Sequence, residues 1–316
     1  MKITIVGPGA MGCLLAGFLS KSGEEIWLLD KNAERAQKIK EQGIKAEGVS
    51  GNWQAKVNVS VSAEEIGPQD LIIIAVKSYD TKGALKDIKP MLGESTLVLS
   101  LQNGLGNTEI ISEVAGQEKT LGGTTNHGAT LLAAGSIRHA GRGETVFGRM
   151  DGKITAELRS IRELFNKAGL KTCISKDIKA LLWSKLMINV GINALTAITR
   201  LNNGRLIEFD GTRKILEEAV NEAIKVAKKK RIRLIYDDPL SKVEAVCEAT
   251  ANNVSSMLQD VLKQRRTEID FINGAVVRQA QGLGIATPVN AALTYLVKTI
   301  EASYSLRVGQ KNTCTL

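Results

Sequence analysis

The chain opens on a short apolar run, Ile3 to Val6, that stops at glycine and reads as a buried strand. An apolar helical stretch follows from about Ala10 to Lys21, then a second strand, Ile26 to Asp30. Asn32 to Gln42 has helical composition and stops before Gly43, a good C-terminal signal. Val57 to Ser62, Leu71 to Val76 and Thr96 to Leu101 read as further strands, with helices over Tyr79 to Lys89 and Thr108 to Val114. Such alternation predicts a parallel sheet with helices on both faces.

From Leu121 to Arg149 glycine becomes frequent. Ser136 to His139 and Thr145 to Phe147 look like short strands, expected as an antiparallel extension that closes the first domain. Ile154 to Ala168 reads as a helix and Lys171 to Ile174 as a last strand. Beyond Asp177 the periodicity is helical almost to the end, in segments around 177–198, 211–230, 239–264, 267–283 and 288–303. Thr287-Pro288 fits an N-cap with proline at the first helical position. The expected organisation is an α/β N-terminal domain, residues 1–176, plus an all-α C-terminal domain, residues 177–316. The tail from Arg307 is polar and reads as loose.

Composition changes this picture little. The 316 residues are 43% hydrophobic and 24% charged, which fits a globular protein rather than a disordered or collagen-like one. The longest uninterrupted apolar run, Leu71 to Val76, is shorter than the roughly 20 residues a membrane span needs, so no membrane is expected. The net charge of +9 admits nucleic-acid binding. However, the basic clusters Lys228-Lys229-Lys230-Arg231 and Arg265-Arg266 lie in helical patterns without interleaved aromatics. They read as solvated helix faces that also attract anionic small molecules, with no nucleic acid expected. The four cysteines, Cys13, Cys173, Cys247 and Cys314, form no C-x-x-C pair and read as free thiols of a reducing compartment. No signal peptide precedes the first strand, which points to the cytoplasm.

Gly7-Pro8-Gly9-Ala10-Met11-Gly12 is a G-x-G-x-x-G run between a strand and a helix. Gly7 permits a tight turn, Gly9 the close approach of a pyrophosphate, and Gly12 close packing of helix on sheet. The helix N-terminus adds free N–H groups and a positive dipole end. The second strand ends in Asp30, whose carboxylate suits adenosine ribose hydroxyls and repels a 2′-phosphate. That favours NAD over NADP, and Lys31 beside it softens the preference.

In the apolar stretch Leu181 to Asn193, Lys185, Asn189 and Asn193 are spaced four apart and share one side of a helix. A polar stripe of this kind either faces solvent or lines a cavity that takes an anionic substrate, with the lysine as proton donor. Asn253 and Ser256 form a second polar pair. Glu268, in Thr267-Glu268-Ile269-Asp270, sits at what looks like a helix start, where dipole compensation is the simpler reading. His127 and His139 have no partner at ligand spacing, and no metal is expected.

Taken together, these motifs resemble those of 2-dehydropantoate 2-reductases (ketopantoate reductases). The carrying segments are the first strand with its glycine loop, Val76-Lys77, Gln102-Asn103-Gly104, and Gly123-Thr124-Thr125-Asn126-His127. Further ones are Trp183-Ser184-Lys185-Leu186 with Asn189 and Asn193, Asn253 to Asp260, and Thr267 to Gly274. The resemblance implies a Rossmann domain followed by a helical domain, with the active site in the cleft between. It implies hydride transfer from NADPH to ketopantoate, giving (R)-pantoate for pantothenate and coenzyme A synthesis. By position, Lys185 matches the family's general acid and Glu268 the carboxylate that works beside it. Asn103 matches the nicotinamide–substrate junction and Lys77 a cofactor-side lysine. Asn189, Asn193, Asn253 and Ser256 match substrate-binding positions. Members that use NADPH often carry an arginine where this chain has Asp30-Lys31. The family also contains NAD-linked D-2-hydroxyacid dehydrogenases acting on other branched or aromatic 2-keto acids, and both readings stay open. A dinucleotide-sensing or nucleic-acid-binding regulator is the reading from another class. A monomer or a homodimer is expected.

Overall fold

The computed structural model describes residues 1–307 of the chain. All but the first residue of the polar tail, and Cys314 with it, lie outside the described residues. The chain divides into two compact units, Met1–Leu182 and Trp183 onward.

The first unit is built on an eight-stranded sheet. Its strands in chain order are β1 (Lys2–Val6), β2 (Glu25–Leu29), β5 (Asn58–Ser60), β6 (Gln69–Ile74), β7 (Leu92–Ser100), β8 (Thr120–Thr125), β11 (Thr145–Arg149) and β12 (Thr172–Ile174). The spatial order is β12-β11-β8-β7-β6-β1-β2-β5. The run from β5 to β8 is parallel, while β11 lies antiparallel to β8 and β12 parallel to β11. The chain moves from β1 outward to β2, then returns to place β6 on the other side of β1. This reversal opens a crevice at the carboxyl ends of β1 and β6, where doubly wound sheets take ligands.

Alternation along the strands explains why the sheet carries helices on both faces. Ile3, Ile5, Leu71, Ile73, Leu97 and Leu99 point to one face. There they pack on Leu14, Leu15 and Leu19 of α1 (Ala10–Leu19) and on Ile161 and Phe165 of α6 (Ala156–Lys167). Val6, Ile72, Ile74 and Val98 point to the other face. They meet α3 (Ala63–Ile66), α4 (Thr81–Asp87) and α5 (Asn107–Ala115). Each fully buried Ile or Leu contributes about 1.5–3 kcal/mol. α2 (Ala33–Gln42) is capped by Asn32, whose Oδ1 accepts from Arg35 N at 2.8 Å.

One part of this unit departs from the sequence reading. The stretch after α2 forms β3 (Ile44–Gly48) and β4 (Trp53–Ala55), which were not expected. They join β9 (Gly128–Ala133) and β10 (Ser136–Gly141) in a separate four-stranded sheet, ordered β4-β3-β10-β9. The expected antiparallel extension therefore divides: β11 extends the main sheet and β10 belongs to the second. The second sheet packs on α1, with Phe18 edge-on to Trp53 at 5.5 Å and Gly17 leaving room for the indole ring. The two strands are short, β4 having only three residues, which hides their pairing from a hydrophobicity pattern.

The second unit is helical. It comprises α7 (Ile178–Thr199) from Trp183 on, α8 (Asp210–Lys229), α9 (Pro239–Ala249), α10 (Ser256–Leu262), α11 (Asn273–Gln281) and α12 (Pro288–Ala302). The expected segment 239–264 is broken between α9 and α10, where Ser255 caps α10 by accepting from Leu258 N at 3.0 Å. The expected segment 267–283 becomes a 3-10 turn, Ile269–Phe271, followed by α11. Thr287 makes no side-chain cap on α12. Glu222 of α8 takes that role: its carboxylate accepts from Val289 N at 2.9 Å and from Asn290 N at 3.0 Å. Asn290 Nδ2 also donates to it, at 2.7 Å. By length and composition α7 is apolar enough to cross a membrane, but 67% of its apolar window is buried, as in a core helix.

Candidate functional site

In the first unit the expected dinucleotide residues gather at the carboxyl edge of the parallel sheet. Gly7 adopts φ +98°, and a Cβ there would lie 2.6 Å from Val76 Cγ1 and 2.9 Å from Val76 N. Only glycine fits that turn. A Cβ on Gly12 would overlap the Gly7 carbonyl oxygen. At Gly9, by contrast, a Cβ would meet nothing within 4 Å among the described residues. The loop is therefore closed on its protein side and open on the other, as a phosphate cradle must be. Pro8 is buried, while Ala10 and Met11 are part-buried at the first turn of α1. That turn carries no acidic residue, and Gly9 offers no side-chain cap. Its N–H groups and positive dipole end thus suit an anion, and the residues present fit a dinucleotide pyrophosphate.

Lys77 follows β6 in extended conformation, and Asn103 follows β7. Because β1, β6 and β7 are neighbours in register, both sit at the same edge as the glycine loop. A polar network absent from the sequence reading holds this edge. Gln102 Nε2 donates to Val76 O and to Thr81 Oγ1, each at 2.8 Å. The Asn103 carbonyl accepts from Ser78 Oγ at 3.0 Å and from Asn107 Nδ2 at 3.1 Å. The loops after β6 and β7 are thereby tied together, and the backbone positions of Lys77 and Asn103 are fixed. Gln102 was visible in Gln102-Asn103-Gly104, but nothing in the sequence showed that it faces the neighbouring loop.

Asp30 lies at the end of β2 with 1% of its surface exposed. Its Oδ2 accepts from Arg35 Nε at 2.6 Å, and its Oδ1 from Arg35 Nη2 at 2.5 Å and from Asn32 N at 3.0 Å. The Asp30 carboxylate raises the Arg35 pKa further. Lys31 is exposed and pairs with Asp80 at 3.3 Å. Arg35 escaped the sequence reading, although an arginine five residues after a strand-end acid was a usable signal.

In the second unit the stripe on α7 is not a solvated face. Lys185 and Asn189 are part-buried and Asn193 is buried. Burial pushes the Lys185 ammonium down to about 8, against an opposing pull from the Glu268 charge. Asn189 Nδ2 is buried with no hydrogen-bond partner among the described residues, a costly state that a bound polar group would relieve. Glu268 is buried rather than exposed at a helix start, and it makes no side-chain cap on the following turn. Asn253 and Ser256 are exposed, the first in the turn before α10 and the second at its start. Thr196, one turn beyond Asn193, hydrogen-bonds Ser255 at 2.6 Å and so ties this turn to α7.

The two histidines, unremarkable in sequence, meet at the second sheet, His139 within β10 and His127 just before β9, with His127 Nδ1 and His139 Nε2 3.1 Å apart. No group of three or more metal-ligating side chains occurs among the described residues. Cys13, Cys173 and Cys247 are free thiols, and burial pushes Cys13 up to about 12.

Comparison with known proteins agrees along nearly the whole chain. Residues 3–152 match the family described as ketopantoate reductase PanE/ApbA, and residues 177–301 match its C-terminal portion. A 2-dehydropantoate 2-reductase of Pyrococcus horikoshii is 36% identical over 303 residues, covering 96% of this chain and 98% of the relative. The crystal structure of a PanE/ApbA family ketopantoate reductase from Ralstonia eutropha is 33% identical, with a TM-score of 0.89 over 96% of this chain and 100% of that one. A D-mandelate dehydrogenase solved with NADH and anilino(oxo)acetate is 32% identical, with a TM-score of 0.91 over 97% of this chain and 100% of its own. The chain belongs to the ketopantoate reductase family.

Proposed function

We propose that the protein is a 2-dehydropantoate 2-reductase, reducing the 2-keto group of ketopantoate to (R)-pantoate with NADH or NADPH. The observation that carries this reading is Lys185, a lysine with its pKa brought down to about 8 beside a buried glutamate. A reduced nicotinamide supplies the hydride when bound. As hydride adds to carbon, negative charge develops on the keto oxygen. The Lys185 ammonium stabilises that charge and gives the oxygen its proton. Glu268 keeps Lys185 protonated against the cost of burial and fixes its position. Asn189, Asn193, Asn253 and Ser256 supply amide and hydroxyl groups for a substrate rich in hydroxyl and carboxylate oxygens. Gly7 to Gly12, Asp30, Lys31 and Lys77 hold the dinucleotide, and Asn103 lies where nicotinamide and substrate meet. The same proposal places the enzyme in the cytoplasm as a monomer or homodimer, without nucleic-acid or membrane partners.

The likeness to D-mandelate dehydrogenase favours one second reading, an NAD-linked D-2-hydroxyacid dehydrogenase acting on another branched or aromatic 2-keto acid. Reduction of ketopantoate, phenylglyoxylate and 2-ketoisocaproate, each assayed with NADH and NADPH, separates the two. A higher kcat/KM for ketopantoate supports the first reading. A higher value for either competitor replaces it with the second. Turnover of none of them by folded protein refutes both.

A further inference from the structure

The segment that carries Glu268 is held on both sides. Before it, Thr267 N donates to Glu301 of α12 at 2.7 Å. After it comes Asn273, the first residue of α11, which is fully buried. Its Nδ2 donates to the Val190 carbonyl of α7 at 3.3 Å and to Asn290 Oδ1 of α12 at 3.0 Å. Val190 stands directly after Asn189 and between Lys185 and Asn193. One amide therefore joins the segment of Glu268 to the helix of Lys185.

Chemistry fixes which way that amide points. The Glu222 carboxylate only accepts, so Asn290 turns its NH2 group to it, at 2.7 Å. Asn290 Nδ2 also donates to the Ala219 carbonyl at 2.9 Å. The side-chain oxygen of Asn290 then faces Asn273, which answers with its own NH2 group. Asn273 Oδ1 is left buried with no hydrogen-bond partner among the described residues. Such an orphaned acceptor is costly, and an apolar side chain of similar volume would avoid it. Packing alone therefore does not call for an asparagine here.

We propose that Asn273, oriented by Asn290 and Glu222, is a positioning residue for the Lys185–Glu268 pair. It clamps the Glu268 segment to α7 and so keeps the two side chains at a fixed separation. It acts through the pair and not on the keto acid. The attraction between two charges weakens as they move apart, so a loosened clamp reduces the hold of Glu268 on the Lys185 proton. The inference rests on the reading of Lys185 as proton donor and Glu268 as its restraint, but not on the identity of the keto acid.

The test is the pH profile of kcat/KM for keto-acid reduction, with circular dichroism as the check that each variant is folded. Asn273→Ala is expected to lower kcat/KM at pH 7 about ten- to a hundredfold. Its alkaline limb should also move to lower pH, because Glu268 no longer holds the proton as well. Asn273→Ser is the milder variant, since its hydroxyl can still donate to one of the two acceptors. It should fall between wild type and Asn273→Ala in both respects, and it carries the test if the alanine variant does not fold. Lost rate with the limb unmoved in the folded variants assigns Asn273 to the fold alone and overturns the proposal. An unchanged rate and limb overturn it as well. A wild-type profile without any alkaline limb refutes the reading of Lys185 on which the proposal rests. A limb present in wild type and unmoved in both variants refutes the role of Asn273 alone.

Discussion

Raising the pH from about 7 to about 9 should slow keto-acid reduction roughly tenfold. The lever is the proton on Lys185. With its pKa brought down from 10.5 to about 8, the side chain loses its proton within an accessible range. The protonated fraction is about 0.9 at pH 7 and about 0.09 at pH 9. Only the protonated form can donate to the developing alkoxide, so kcat/KM follows this fraction. An ordinary exposed lysine would leave the rate flat over the same interval. The assay is the initial rate of loss of reduced-nicotinamide absorbance at low keto acid, in buffers of constant ionic strength. Alcohol oxidation, which needs neutral Lys185 as base, should show the mirror-image rise. Glu268→Gln removes the charge that pulls the pKa upward, so its limb should move to still lower pH. A profile flat to the ordinary lysine value of 10.5, or a limb unmoved in Glu268→Gln, would refute the assignment of Lys185 as the proton donor.

Lys185→Met should lose about 10²–10⁴ in rate. Gly12→Ala drives a methyl group into the Gly7 carbonyl and should cost about 1–3 kcal/mol, with loss of dinucleotide binding by titration. Glu222→Ala leaves three N–H groups at the start of α12 without their acceptor and should cost about 2–4 kcal/mol in urea unfolding, with Glu222→Gln restoring only part of it, because its NH2 group faces N–H donors where the second carboxylate oxygen had accepted. Burial lowers the pKa of both His127 and His139 below 6.5, so the unfolded chain takes up protons first. Stability should therefore be full above about pH 6.5 and fall as pH drops below it, with a smaller fall in His127→Phe, both followed by Tm.

What the sequence made legible follows from how local each signal is. Ile3 to Val6 with Gly7 to Gly12 announces strand, turn and helix within a dozen residues, and the packing of Gly7 on Val76 fulfils it. The four-residue spacing of Lys185, Asn189 and Asn193 placed them on one side of α7, but not whether that side met water. Burial settled it, and burial depends on residues far along the chain. β3 and β4 stayed hidden because β3 draws its distant partner, β10, from much later in the unit, and because among the described residues β4 pairs only with β3, over three residues. The α12 cap was misplaced for a similar reason. A threonine before a proline is a local signal, whereas the actual acceptor, Glu222, lies 67 residues away from Val289. Asp30 is the instructive intermediate case. Its position was read correctly, yet Arg35, five residues on, changes what its carboxylate is free to do.

Two lysine–glutamate pairs show why the Lys185 pair supports a catalytic role. Lys38 and Glu34 form an exposed pair one helical turn apart, and Glu34 raises the Lys38 pKa. Glu268 pulls Lys185 in the same direction, yet the Lys185 pKa is lowered, because desolvation outweighs the attraction. A pair serving the fold alone gains nothing from this arrangement. Buried ion pairs are often no more stable than well-packed hydrocarbon of the same volume, and a lysine whose charge is only partly compensated is worse still. A proton donor has the opposite need. It must hold its proton at neutral pH and release it readily to an oxygen that gains charge, which requires a pKa near the working pH. Burial by itself would strip the proton too early, and a fully satisfied ion pair would hold it too tightly. A carboxylate close enough to restrain the shift without cancelling it gives the intermediate value, and the buried Glu268 supplies that restraint.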